Sequence, residues 1–181
     1  MSESNSERKR GAGKESSDNS QSPQQLLKPL KERRAGAEAL IDEFMKMVGY
    51  EDPSRYVDEQ GWRHLQKGSA RGRVGAVEIK KNLLLQAESP VMPLPSDRDL
   101  ILPLFRELLE YNLLIPGTVR LGIKDENVFA FSVLAADNLQ REECFQVINS
   151  VMSVADDLAD VLLNKYGGTS KKRTGNAIKH K

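Results

Sequence analysis

Apolar positions along this chain recur with two periods, every third or fourth residue in some stretches and every second residue in others, and the switches between them mark its elements. In residues 37–48, "AEALIDEFMKMV", Leu40, Ile41, Phe44, Met47 and Val48 share one helical face, while Glu38, Asp42, Glu43 and Lys46 take the other. The spacing predicts an amphipathic helix, extended backwards toward Leu30 and closed by Gly49. The period then shortens. Residues 62–67 predict a strand, "GSARG" a turn, and residues 73–80 a second strand in which Val77 and Ile79 alternate with Glu78 and Lys80. A hairpin loop at 81–82 leads to a third strand over 83–88, and the three prolines of "SPVMPLPSD" are expected to end it.

Residues 100–112, "LILPLFRELLEYN", return to the helical period, with Asp99 as N-cap and Pro103 near the tolerant first turn. "LLIPGTVRLGIKD" and "ENVFAFSVL" then form two strand-like runs about a polar turn. Val119, Leu121 and Ile123 alternate with Arg120, Gly122 and Lys124; in the returning strand Phe129, Phe131 and Val133 share one face and Val128, Ala130 and Leu134 the other. A long helix over 138–166 follows, carrying Cys144, Ile148, Val151, Met152, Ala155, Leu158, Ala159, Leu162 and Tyr166, capped by Asp137 or Asn138 and ended by Gly167-Gly168.

The resulting order, α-β-β-β-α-β-β-α, predicts an α+β fold: a five-stranded antiparallel sheet with helices to one side, rather than a doubly wound sheet. In such a two-layer domain one sheet face ordinarily meets water. Here the last strand is apolar on both faces, and the helix at 100–112 shows apolar residues on more than one side: Leu100, Ile101, Leu104, Phe105, Leu108 and Leu109. A second buried surface is expected, covered by a partner, a second copy, or the Leu26-Leu27 segment.

Composition and charge refine the picture. The 181 residues fit one domain with tails. Residues 1–36 are polar and expected to be disordered, with helix from about residue 26; residues 37–168 form the domain; residues 169–181 form a second polar tail. The net charge of +1 divides into +3 over 1–36, +5 over 169–181 and therefore −7 over 37–168. No run approaches the roughly 18 apolar residues of a membrane span, and the N-terminus holds no apolar signal segment. With a single cysteine, the chain reads as a cytoplasmic protein without membrane contact.

Candidate chemistry is sparse. His64 and His180 with one cysteine do not make a zinc site. Asp156, Asp157 and Asp160 read as a solvated helix face, Cys144 as apolar packing, and Trp62 as core or interface. "QKGSARG" around Ser69 is no nucleophile elbow, and "GAGKES" lacks the spacing and the preceding strand of a phosphate loop. No catalytic, cofactor-binding or metal-binding residue is assigned. The clusters "RKR" and "KKR" carry charge that could meet phosphates, without interleaved aromatics for base stacking.

"GWRHLQKGSARGRVGAVEI", "PVMPLPSDRDLILPLFRELLEYNLLIPGTVRLGIKDENVFAFSVL" and "CFQVINSVMSVADDLADVLLNKYG", in this order, resemble the YbjN-type, type III secretion chaperone-like superfamily over about residues 37–167. The strongest points of likeness are Gly68-Ser69-Ala70, the helix end Leu108-Leu109-Glu110-Tyr111-Asn112, and Ala155-Asp156. The resemblance implies a homodimer through the central helix, with Leu100, Leu104, Phe105 and Leu108 at the interface. It also implies a client segment on the sheet, at Val77, Ile79, Leu84, Val128 and Ala130. The two basic tails depart from a compact acidic chaperone. The expected function is a non-enzymatic module that buries an apolar segment of a client or regulatory protein, strand addition at a sheet edge being one route. The alternative is a nucleic-acid-associated regulator acting through the tails.

Overall fold

Helix α1 (Leu30–Met47) opens the part of the chain that the structure, a computed structural model, describes: residues 29–167. The expectations for the two basic tails and for Leu26-Leu27 fall outside those residues. The helix reaches back to Leu30 because its first turns have partners. Arg33 pairs with Asp137, and Arg34 Nη1 donates to the Ala76 carbonyl at 2.7 Å. Ala37 is buried with Ala76, Leu83 and Ala136, and Leu30 packs on that cluster. At the other end Gly49, at φ +101°, bonds the Lys46 carbonyl, and the Tyr50 amide bonds that of Met45. These two bonds make a Schellman cap, which needs a residue at ease in the left-handed region.

Strands β1 (Arg63–Lys67), β2 (Ala70–Ile79) and β3 (Asn82–Pro93) follow as consecutive hairpins. A 3₁₀ turn (Arg98–Leu100) leads into α2 (Ile101–Leu114), then β4 (Arg120–Lys124), β5 (Asn127–Ala135) and α3 (Arg141–Tyr166). The strands form one antiparallel sheet in the order β1-β2-β3-β5-β4. The fold is thus α+β with a five-stranded sheet, in the order read from the sequence.

Local details differ from that reading. Strand β3 runs through Pro90 to Pro93 instead of ending at Glu88. Its register with β2 stops at Arg73–Glu88, so beyond that point it pairs with β5 alone, and the register shifts between Pro90 and Met92. A one-sided, bulged stretch tolerates a residue with no N–H, which a strand paired on both sides does not. The β2–β3 turn is Lys80-Lys81, both at positive φ, rather than 81–82. Asp97, not Asp99, caps the 3₁₀ turn, and α3 begins at Arg141 with Gln140 as its N-cap, while Asp137 pairs with Arg33. Glu143 accepts the Gln140 amide at 3.1 Å, closing the α3 N-terminus.

The core lies between α3 and one face of the sheet. That face sets small residues, Ala70, Gly72, Val74 and Ala76 on β2, Ala87 on β3, Val128 and Ala130 on β5, among the leucines Leu83 and Leu85 of β3. The small residues let α3 settle close, with Cys144, Ile148, Val151, Met152, Ala155 and Leu162 buried. At Gly72 an added Cβ would stand 2.5 Å from Met152 Sδ and 2.9 Å from the Glu88 carbonyl, so the close approach requires glycine. Ile41, Phe44 and Met45 of α1, and Leu104 and Leu108 of α2, extend the same core to either side.

Candidate functional site

Helix α2 packs on β4 and meets the end of α3 at Glu107. Leu104 and Leu108 are 0% and 5% exposed, in one core with Val119 and Leu121. They anchor α2 to the core of its own chain, so the sequence reading of them as interface residues is corrected. Leu100 and Phe105 are half-buried. The bare side is Leu102, Leu109, Leu113 and Leu114, at 67–87% exposure. Leu102, Leu109 and Leu113 fall on one face at helical spacing. Their polar company is the exposed Arg106–Glu110 pair. The opposite flank is fastened by Glu107, which accepts from Lys165 Nζ at 2.6 Å and from the Tyr166 hydroxyl. Burial alone would raise the Glu107 pKa; the bonds from Lys165 and Tyr166 outweigh it and hold it low.

The second surface that the described residues leave open is the outer face of the sheet. Pairing places Val77 beside Leu84, Gln86 beside Val133, Glu88 beside Phe131 and Pro90 beside Phe129. Ile79 and Val133 are 49% and 40% exposed, and Val77, Leu84, Phe129 and Phe131 are half-buried. Val128 and Ala130, expected to face a client, are fully buried beneath α3. In β5 it is the aromatic face that looks outward and the smaller Val128 and Ala130 that look inward, beneath α3. Two aromatic rings roof outer-face glycines: Trp62 lies 3.0 Å from where a Gly75 Cβ would be, and Phe131 2.9 Å from that of Gly122.

A charged cluster sits among these apolar groups. Glu88, 4% exposed, takes Arg73 at 2.6 Å and Lys124 at 3.0 Å on one oxygen and Gln86 at 2.8 Å on the other. Burial pushes the Glu88 carboxyl up, but the bonds from Lys124, Arg73 and Gln86 prevail and leave its pKa below the ordinary value. The Arg73 guanidinium also lies 4.4 Å above the Trp62 ring, and Lys124 Nζ 5.6 Å from that of Phe129.

Main-chain groups at both sheet edges are already engaged. Asn112 of α2 accepts the Leu121 amide at 2.7 Å and donates to the Leu121 carbonyl at 3.1 Å, imitating a neighbouring strand on β4. On β1, the Tyr50 hydroxyl accepts the Gln66 amide at 2.7 Å, and Val57 bridges Arg63. Strand addition would have to displace these groups; the sheet's open resource is its face.

The other chemistry-bearing residues have structural places. Asp156 is no idle solvated charge: its carboxylate accepts the Ser69 amide at 2.7 Å and the Ser69 hydroxyl at 2.8 Å, tying α3 to the β1–β2 turn. Those bonds, the amide first, lower its pKa. Cys144 is buried, and desolvation, with the Glu43 charge adding to it, pushes its thiol up to about 12; a thiol so rarely ionised is a poor nucleophile. His64 bonds Asp58 at 2.8 Å on the exposed side of β1. Among the described residues, no three His, Cys, Asp or Glu side chains gather as a metal site, and no helix is long and apolar enough to cross a membrane.

No protein-family model matches the sequence, and no curated protein matches it. The backbone does find relatives. A chain of the ExsC–ExsE complex superposes with a TM-score of 0.54 at 17% identity, over 71% of this chain and 95% of that one. A chain of the HopA1–SchA chaperone–effector complex gives 0.55 at 11% identity, over 73% and 99%. The chain thus shares its fold with the chains of these two complexes. At these identities the likeness speaks for fold alone. YbjN from E. coli, at a TM-score of 0.43 and 15% identity over 70% and 92% of the two chains, is too loose a superposition to argue from.

Proposed function

We propose that this protein is a non-enzymatic, cytoplasmic, chaperone-like or regulatory binding module. It dimerises through α2 and receives an apolar segment of a partner protein on the outer face of its sheet. The observation that carries the reading is the pair of uncovered apolar surfaces on one small domain: the leucine side of α2, and the outer face with Val77, Ile79, Leu84, Phe129 and Val133. A relative on the same fold is described as a chaperone in complex with an effector, which supports a protein rather than a small molecule as partner. On this reading Leu109 and Leu113 take the interface role that Leu104 and Leu108 cannot, with Leu100 and Phe105 beside them.

The test uses the full chain with solution mass and affinity capture read together. The wild type is expected to be a dimer, and Leu109→Asp with Leu113→Asp a folded monomer. A discrete protein recovered with wild type and lost with Ile79→Asp plus Val133→Asp, the dimer remaining intact, supports the sheet as the partner site. A monomeric wild type overturns the dimer, and indistinguishable capture by wild type and sheet variant overturns the partner surface.

A further inference from the structure

One end of the outer face is different in kind from the rest. Between β1, the start of β2, Pro90 and the β4–β5 turn runs a groove of about 550 Å³, with walls that include Tyr50, Tyr56, Arg71, Arg73, Lys124 and Phe129. Tyr50, Tyr56 and Phe129 give it aromatic walls beside Leu65 and Pro90, and cations line it on two sides. The charges do not balance locally. Glu88, the acid inside the groove, is nearly covered and already holds both Arg73 and Lys124. Asp125 lies at the rim in the β4–β5 turn. The Arg71 guanidinium is exposed, and among the described residues no carboxylate pairs with it. Further along the same face Arg120 bonds the main-chain carbonyls of Gly117 and Val119, and among the described residues no carboxylate pairs with it. A basic strip thus crosses one end of the sheet of a domain whose residues 37–168 carry −7.

We propose that this groove selects an acidic, apolar-flanked peptide segment of the partner protein, with Arg71 as the primary carboxylate anchor and Lys124 and Arg73 completing the anion site. The inference rests on the proposed partner-binding function and adds the chemistry of what binds. The extended segment lays apolar side chains on Phe129 and the tyrosines. Between them a Glu or Asp reaches Arg71, whose fork of donors suits a carboxylate in bidentate fashion. Arg73 and Lys124 each retain further donors after serving Glu88, so a second carboxylate can be received without breaking the cluster. A peptide fits better than a nucleic acid. A long phosphate backbone would run on from the strip into the field of an acidic body, whereas a short segment with one or two carboxylates meets the strip alone.

Trp62 makes the groove directly observable: it is the only tryptophan in the chain, and its ring carries the Arg73 guanidinium. The experiment titrates the full chain with short synthetic peptides alternating Leu or Phe with Glu, with matched peptides bearing Gln or Lys in place of Glu, and with a single-stranded oligonucleotide. Anisotropy of the labelled ligand and Trp62 emission are followed together. The Glu peptides are expected to bind and shift the Trp62 emission. Their binding should weaken steeply toward 1 M salt, where the Debye length is about 3 Å. Arg71→Ser with Lys124→Ser should cost them about tenfold or more in affinity, while leaving the weak Gln-peptide affinity unchanged. Equal binding of Glu and Gln peptides, or tighter binding of the oligonucleotide at Trp62, overturns the acidic-segment proposal. No binding by any peptide also overturns it. If captured partner is still lost with Ile79→Asp plus Val133→Asp, the charge selection alone has failed. If capture too is insensitive to those substitutions, the partner-binding reading has fallen with it.

Discussion

The described residues leave both the leucine side of α2 and the outer face of the sheet open, yet the two differ in how much of themselves they leave bare. On α2 whole side chains stand out, with Leu113 87% exposed, and one salt bridge accompanies them. On the sheet, rings roof glycines, most apolar residues are half-buried, and a buried carboxylate stitches three strands together. Bare leucines gain most from permanent burial, because nothing in the monomer lessens the cost of exposing them to water. A half-covered, charge-studded face loses little when empty and gains directional contacts when occupied. The first suits a lasting contact with a second copy, and the second suits a partner that comes and goes.

The sharpest way to break this comparison is to separate the two sides of α2. Leu104→Ala should cost about 2–5 kcal/mol by opening a cavity in the core, whereas Leu109→Ala should change monomer stability by no more than about 0.5 kcal/mol. Urea denaturation of both variants, each made in the Leu113→Asp background at a concentration where light scattering shows a monomer, checks this. Similar losses would mean that Leu109 is part of the monomer's core after all.

Next in size is the polar lock on the sheet. Glu88→Gln leaves Arg73 and Lys124 without their carboxylate and is expected to destabilise by about 1–3 kcal/mol at neutral pH. Because the Glu88 pKa is depressed on folding, its contribution is present above its ordinary value of 4.5 and is lost as pH falls through the lower folded value. Denaturation of the wild type should therefore weaken in that acid range, and the variant should lack this share of the loss. A variant with an unchanged acid profile would show that the carboxylate is no lock.

The smallest effect sharpens the comparison by touching the sheet alone. Lys80 and Lys81 hold φ of 50° and 70°, the two-positive-φ geometry that hairpins usually give to Asn-Gly. Replacing both with Asn-Gly should raise stability by about 1 kcal/mol and leave the solution mass unchanged. Its checks are thermal melting and light scattering.

Much of this was legible in the residues. Alternation at Val77 and Ile79, the helical repeats of α1 and α3, and Gly49 at a cap are local patterns, and local backbone preference answers to them. What escaped was which face of an element points inward. Val128 and Ala130 look less core-like than Phe129 and Phe131, yet they are the buried pair, and the clue lay elsewhere, in Gly72, Ala76 and Ala87 supplying an equally small-sided landing for α3. Leu104 and Leu109 are the same residue type on one helix, and nothing within the helix distinguishes them; the neighbours Val119 and Leu121 do. Likewise, Asp156 looks like any helix-surface acid until the β1–β2 turn is brought against it.

By itself, then, the sequence determined the order of elements and the α+β class, because periodicity and composition act within a few residues of one another. Tertiary structure alone decided which apolar side was left open, that Pro90 could ride in a strand paired on one side, and that Arg71, Arg73 and Lys124 converge on one groove. Those outcomes depend on contacts between residues far apart in the chain, and such contacts come into being only when helices and strands compete for the same face of the sheet.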